Sequence, residues 1–265
     1  MGIGVLLGLL VGAVLGLTGA GGGILAVPAL VFGLDMSMPR AVPIALIAVG
    51  MGAALGAIYG LRRGTVRYKA ALLMAATGGL GSPLGVAMAY RLPADWLSVL
   101  FAGIMVWVGY RTFRQSLATS YQADHLEPAK ACRISSNTGR FVWTARTALT
   151  LGSIGIISGI CTGMLGVGGG FIIVPALARY TELRMQSIVP TSLTVIALVS
   201  AFTVASFLVR GFAVSPLEAS FIGAVVGGMA IGQYFVKHLP TVMLQRGFAS
   251  VCILVACLLL VRSLM

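Results

Sequence analysis

GLTGAGGGILAVPALV, residues 16–31, sits in the middle of an apolar run that extends from residue 2 to residue 33. Five of its first eight residues are glycine, and a proline follows at Pro28. As one straight helix this run would measure about 48 Å, against a hydrocarbon core of about 30 Å. It is too long for one untilted crossing and too short for two. The glycines offer a way out: a helix to about Thr18, an unwound turn, then a short helix from about Gly23 to Gly33. GMLGVGGGFIIVPALA, residues 163–178, has the same pattern, and the same break is expected over 147–180.

Composition places these runs in lipid. The chain of 265 residues is 58% hydrophobic and 9% charged, with a mean hydropathy of +1.03; a soluble domain carries about 25% charged residues. A soluble protein of this size could not hide so much apolar surface. Apolar runs recur at roughly 2–33, 41–61, 70–90, 95–113, 147–179, 188–209, 216–237 and 241–261, most of them near the ~20 residues a crossing helix needs. The net charge is +12. Its basic residues sit in short loops between runs, as the positive-inside rule expects of a membrane protein, and not on the contiguous face that nucleic acid would require. Cys132, Cys161, Cys252 and Cys257 form no CxxC pair and read as small apolar residues, not as a metal or disulfide framework. MGIGVLLGLLVGAVLG lacks a basic leader, so it is expected to begin the first membrane segment and not to be a cleaved signal.

A shift of 147 residues lays the second half on the first without a gap. Gly8, Gly12 and Gly16 fall on Gly155, Gly159 and Gly163. Gly19 and Gly21–Gly23 fall on Gly166 and Gly168–Gly170, Pro28 on Pro175, Pro43 on Pro190, and Arg63-Gly64 on Arg210-Gly211. Apolar composition alone would align leucines and alanines, not prolines and glycine triplets. The organisation expected is a membrane repeat over 1–115, a polar cytoplasmic linker over 116–143 and a second membrane repeat over 144–265. Duplicated halves are common among secondary transporters, which hold their substrate between the repeats.

Irregular backbone at membrane depth is tolerated only where protein buries it or a wet cavity receives its polar groups. Two glycine turns therefore point to a polar cavity between the halves. Each turn feeds the start of a short helix, whose free N–H groups and positive dipole end favour an anion, and glycine lets backbone come close to a ligand. Gly4, Gly8, Gly12 and Gly16, four apart, read instead as a close helix-packing stripe. Gly21, Gly22 and Gly23 cannot share one helix face and each weakens a helix by about 1 kcal/mol relative to alanine.

All six carboxylates, Asp35, Asp95, Asp124, Glu127, Glu182 and Glu218, lie in or beside loops. Cation transporters and proton pumps usually place such groups on the path, so their positions here favour an anionic substrate. Thr191, Ser192 and Thr194, after Pro190, can donate hydrogen bonds to an oxyanion or back-bond and cap their own helix. Arg246 either snorkels to the surface or contacts substrate. Arg63 and Gly64 read as a helix end, the charge complementing the dipole and the glycine closing the cap. Gln233 is a lone polar residue in a span, without an assigned role. With no buried acid–base group and no ligand cluster, an enzyme is not expected, nor a metal or cofactor.

The doubled GGGxxxVPAL, the RRG that ends the second segment and the PTSL at 190–193 resemble the sulfite exporter TauE/SafE family, also called TSUP, over nearly the whole chain outside the linker. Its members are membrane permeases of bacteria and plants. The resemblance implies export of small sulfur-containing anions such as sulfite, thiosulfate or organosulfonates across a cell inner membrane. Two features depart from a symmetric site: Thr191-Ser192 faces Ile44-Ala45 in the first repeat, and Ser82-Pro83 faces Met229-Ala230.

The fold class expected is thus an all-α integral membrane protein. About eight hydrophobic segments form two repeats, with the first segment of each broken at its glycine turn. If all eight cross once, the repeats are parallel; if 2–33 and 147–179 dip in and return, they are inverted. Counting Lys and Arg by side does not choose between the layouts, and both put the loop 61–69 and the linker in the cytoplasm. Inverted repeats are the expectation, because they give alternating access directly. The candidate substrate-binding residues are Gly19, Gly21, Gly22, Gly23, Gly166, Gly168, Gly169, Gly170, Pro43, Pro190, Thr191 and Ser192. Expected partners are a small anionic substrate and the lipid bilayer, with a homo-oligomer possible through the small-residue faces. A passive anion channel and a membrane scaffold or sensor are the rival functions.

Overall fold

The computed structural model describes residues 2–19, 22–118, 144–181, 183, 185–209, 212, 214–235 and 241–264. Among them lie ten α-helices: α1 (Gly2–Thr18), α2 (Ala26–Gly33), α3 (Met38–Arg62), α4 (Tyr68–Arg91), α5 (Ala94–Ala118), α6 (Ala145–Leu165), α7 (Gly170–Tyr180), α8 (Met185–Leu208), α9 (Pro216–Phe235) and α10 (Thr241–Leu264). Five are long and apolar enough to cross a membrane: α3, α4, α6 and the central parts of α5 (Trp96–Arg114) and α8 (Met185–Phe207). Most of the linker expected at 116–143, like Arg210-Gly211, lies outside the described residues.

The long run 2–33 does break where the glycines stand. α1 stops at Thr18, Gly19 turns with φ +74°, and a 3-10 turn over Gly22–Leu25 leads into α2. The chain then doubles back. A methyl added at Gly22 would meet the backbone of Leu15, one added at Gly33 would meet the side chain of Leu7, and one added at Gly4 would stand 3.4 Å from Leu34 Cδ2. α2 therefore runs antiparallel to α1, and 2–33 is a hairpin that returns toward the side it came from. α6 likewise ends at Gly166 (φ +73°), and α7 begins after Gly169 (φ +66°).

Gly8, Gly12 and Gly16 of the small-residue stripe of α1 pack on α9. A methyl at Gly12 would strike the Val225 carbonyl oxygen, and one at Gly16 would lie 2.6 Å from Met229 O. α6 packs on α4 in the same way: Gly159 abuts Gly78, and Gly163 abuts Ser82. The first helix of each half thus lies on a helix of the other half, with backbones in contact because the glycines carry no Cβ there. α3 and α8 form the central pair, and α5 packs on α10. Along α3, Gly50 faces Ser200, Gly56 faces Leu193 and Gly60 faces Pro190. The two central helices therefore run antiparallel, although a 147-residue shift makes them copies of one another.

Polar termini mark the two ends of this bundle. At one end Glu218, with its side chain fully buried, accepts from Arg40 Nε at 2.9 Å and from the Ser215 N–H at 2.7 Å, tying the start of α3 to the start of α9. At the other end α3 closes with Gly64 (φ +66°), Arg63 lies over the Tyr59 ring at 4.2 Å, and the Arg67 N–H donates to Thr191 Oγ1 at 3.0 Å. The Gly64 closure is the C-cap that Arg63-Gly64 suggests in the sequence.

Candidate functional site at the two glycine turns

The two glycine turns meet. A methyl at Gly23 would stand 2.7 Å from the Val167 carbonyl oxygen and 3.0 Å from Val49 Cγ1. One at Gly168 would stand 2.7 Å from Ile196 Cγ2 and 3.3 Å from the same Val49 Cγ1. Val49 lies midway along α3, and Ile196 midway along α8. Both glycine turns therefore sit where the central helices cross, far from either end of the bundle.

Glycine is required here for two separate reasons. Gly19, Gly166, Gly168 and Gly169 have φ between +66° and +75°, a region that costs other residues roughly 1–2 kcal/mol. Gly22 and Gly23 have no such φ but no room either. The hydroxyls beside each turn hold it in place. Thr18 Oγ1 accepts from the Gly22 N–H at 3.1 Å and donates to Val14 O at 2.7 Å. At the second turn Ser158 Oγ donates to Gly169 O at 3.3 Å, and Thr162 Oγ1 donates to Ser158 O at 2.7 Å. Gly170 opens α7 and is buried, as are Gly22 and Gly23. Gly21 lies outside the described residues.

Pro43 and Pro190 are inside α3 and α8, near opposite ends of the central pair. Gly19 packs on Val189 and Gly166 on Val42, so each turn begins beside the residue that precedes one of these prolines. Thr191 and Ser192 are buried, but away from the meeting point of the tips. Their protons go to their own helix: Thr191 Oγ1 to Ser187 O at 2.6 Å, Ser192 Oγ to Val189 O at 2.9 Å. Thr194 Oγ1 does the same toward Pro190 O at 2.9 Å. Thr191 also accepts from the loop after α3. The structure thus brings the glycines of both halves together and leaves the Pro190 hydroxyls one to two turns off. Arg246 is exposed in the second turn of α10.

One group at the crossing has no counterpart in the sequence reading. Ser200 is 1% exposed, and its Oγ has no hydrogen-bond partner. It lies 3.6 Å from where a Gly168 methyl would be and 3.5 Å from where a Gly50 methyl would be. A lone serine in the run LVSAF carries no signal of its own; only the glycines it faces reveal it. Among the described residues no group of three His, Cys, Asp or Glu side chains gathers to hold a metal ion.

These are the helices of a multi-pass membrane protein, built around two segments broken at glycine turns. The sulfite exporter TauE/SafE family model matches residues 4–259, and the chain belongs to that family. A protein of Xylella fastidiosa strain Temecula1, named "Probable membrane transporter protein", is 28% identical over 96% of this chain and 92% of its own length. Two Bacillus subtilis proteins, the "Probable membrane transporter protein" YunE and its namesake YdhB, are 24% and 23% identical over 98% and 89% of this chain and 97% and 90% of their own. No solved structure gives a significant match.

Proposed function

We propose that the chain is a secondary transporter, an exporter of a small sulfur-containing anion such as sulfite, thiosulfate or an organosulfonate. The anion would bind near the midplane between the two glycine turns and cross by alternating access, without covalent chemistry. The observation that carries this reading is the meeting of Gly23 and Gly168 at the crossing of α3 and α8. Each tip directs the start of a short helix, with its free N–H groups, to the same place. A half-helix start at the midplane is how discontinuous transporter helices meet an anionic group. The family and the names of the relatives favour transport over a packing role. The position of the one described membrane-side ion pair, Arg40–Glu218, at the end of the bundle leaves the centre without a carboxylate that would repel an anion.

The repeats are read as inverted. The doubling back of 2–33 and the antiparallel course of α3 and α8 both support a two-fold axis in the membrane plane, and such an axis interconverts outward and inward states by rocking one unit against the other. The candidate ligands remain the glycine turns, Gly19 and Gly21–Gly23 with Gly166 and Gly168–Gly170. Pro43, Pro190, Thr191 and Ser192 would shape the approach to them.

The test is flux in proteoliposomes loaded with sulfite, thiosulfate, sulfoacetate or a choline control, with and without a pH gradient. Saturable anion flux with counterflow is expected. Flux that rises linearly with concentration would mean a channel, and no flux from folded protein would leave a scaffold or sensor.

A further inference from the structure

Ser200 and Gln233 each lack a hydrogen-bond partner among the described residues, Ser200 with a buried Oγ and Gln233 with a side chain only partly buried; Arg67 Nε, in the loop after α3, is the other buried donor without one. The interior hydroxyls of Thr18, Ser158, Thr162, Thr191, Ser192 and Thr203 all give their protons to a backbone carbonyl. Ser200 Oγ gives its proton to none. The Gln233 carboxamide, partly buried in α9, makes no hydrogen bond with any described residue; its Nε2 lies against the bare backbone of Gly56, beside Leu193 Cδ1 and Met229 Cε. An unsatisfied buried hydroxyl costs about 1–3 kcal/mol, and alanine at Ser200 would carry no such cost. Ser200 has the further freedom to bond its own helix, as its neighbour Thr203 does at 2.8 Å, and it faces the turn at Gly168 instead.

Both meet α3, on different sides of it. Gly50 faces Ser200, Gly56 faces Gln233, and Gly60 faces Val66 and Pro190. Gly56 is about 9 Å further along the α3 axis than Gly50, so Gln233 meets α3 nearer the loop that follows Arg63 than Ser200 does. Their repeat counterparts are Ala53 and Val86, so the opposite half of the route has no such donor.

We propose that Ser200 and Gln233 are the side-chain ligands of the transported anion: Ser200 at the central site, Gln233 at a staging position between that site and the face bearing the 63–67 loop. This rests on the transport reading above and adds its side-chain donors and their sidedness. The ligand class is a small oxyanion that accepts hydrogen bonds from neutral donors, an O–H and a carboxamide N–H, alongside the backbone N–H groups of the turns. Loss of Ser200 weakens binding from both faces. Loss of Gln233 weakens it only for anion arriving from the loop face.

The experiment measures half-saturation for sulfite and thiosulfate, in each direction, in vesicles holding the protein in one orientation, together with thermal midpoints. Ser200→Ala should raise half-saturation about tenfold in both directions, the weight of one hydrogen bond to a charged group. Gln233→Leu should raise it about tenfold from the loop face and leave the other direction within twofold. The Ser200→Ala midpoint should stay level or rise, because an unsatisfied buried hydroxyl has been removed, and the Gln233→Leu midpoint should stay level. Gln233→Glu, which keeps the shape and adds a negative charge, should cut entry from the loop face further. Saturable wild-type flux with unchanged half-saturation in the variants, or variants whose only effect is a lowered midpoint, would overturn the assignment alone. Wild-type vesicles that move none of these anions would overturn the transport reading and the assignment with it.

Discussion

Gly169→Ala puts the geometry of the second glycine turn to a quantitative test. Gly169 holds φ +66° at the start of α7, and its missing Cβ is occupied by Ser158 Oγ, with Ser158 O and Thr162 Oγ1 each at 2.8 Å. Alanine in that backbone region costs roughly 1–2 kcal/mol. The collision adds about 1–3 kcal/mol, because the turn or α6 must shift. The sum is about 2–5 kcal/mol, or roughly 5–15 °C in thermal midpoint for a chain of this size. Gly223→Ala is the internal control: Gly223 lies in the middle of α9 with nothing within 4 Å of a built methyl, so alanine should gain up to about 1 kcal/mol of helix propensity. Adding Ser158→Ala to Gly169→Ala removes the colliding oxygen and should recover part of the collision term but none of the φ term. Midpoints can be followed by the fluorescence of Trp96 and Trp107 in detergent or nanodiscs. Equal midpoints for Gly169→Ala and Gly223→Ala would refute the left-handed turn.

Gly12→Ala should destabilise by about 1–3 kcal/mol, since a methyl there strikes the Val225 carbonyl and must push α1 off α9; Gly103→Ala, with nothing within 4 Å, should not, and a thermal-midpoint comparison decides. Arg40→Ala should cost more than Glu218→Gln. The first leaves a buried carboxylate with only the Ser215 N–H, at about 1–3 kcal/mol, whereas the second frees a guanidinium that is already more than half exposed. In a cysteine-free background, Gly2→Cys and Met36→Cys should react with an impermeant thiol reagent from one side and Gly64→Cys from the other. Labelling of Gly2→Cys and Met36→Cys from opposite faces would mean that 2–33 crosses the membrane instead of returning.

Much of this arrangement is legible in the chain. Consecutive glycines cannot lie on one helix face, and this fixes the break after Thr18 without any knowledge of the fold. The direction taken after the break is not legible. It is set by Leu7 against Gly33 and Leu34 against Gly4, contacts between apolar residues that any run of this composition could supply, and loop charges are satisfied by either course. The stripe Gly4, Gly8, Gly12, Gly16 announces a close helix neighbour but not which one. The partner of Gly8, Gly12 and Gly16 is α9 of the other half, because its Gly228 and Gly232 offer a bare surface: methyls there would strike Leu9 O and Ala13 O. Thr191 and Ser192 attract notice as hydroxyls next to a proline, yet a serine or threonine within a helix has its own i−3 and i−4 carbonyls in reach, and these residues use them. Ser200 has the same option and does not take it, which only the position of Gly168 makes visible.

The duplication and the chemistry part company in the second half. Packing is nearly two-fold, with α1 on α9 matched by α6 on α4, and α3 crossing α8. The polar side chains do not follow that symmetry. Ser200, Gln233, Thr191 and Glu218 have Ala53, Val86, Ile44 and Ala71 as counterparts. Across the central pair the first repeat contributes bare backbone at Gly50, Gly56 and Gly60, and the second contributes the groups that face it. On the transport reading, two identical halves would make the outward and inward states equal in energy, with equal contacts for substrate on either side. The Arg40–Glu218 pair that joins α3 to α9 at one face, and the Gln233 carboxamide proposed to line the route from the other, would remove that equality. On that reading the membrane-plane symmetry would supply the motion, while the divergence of the second repeat would set which face holds the anion more tightly.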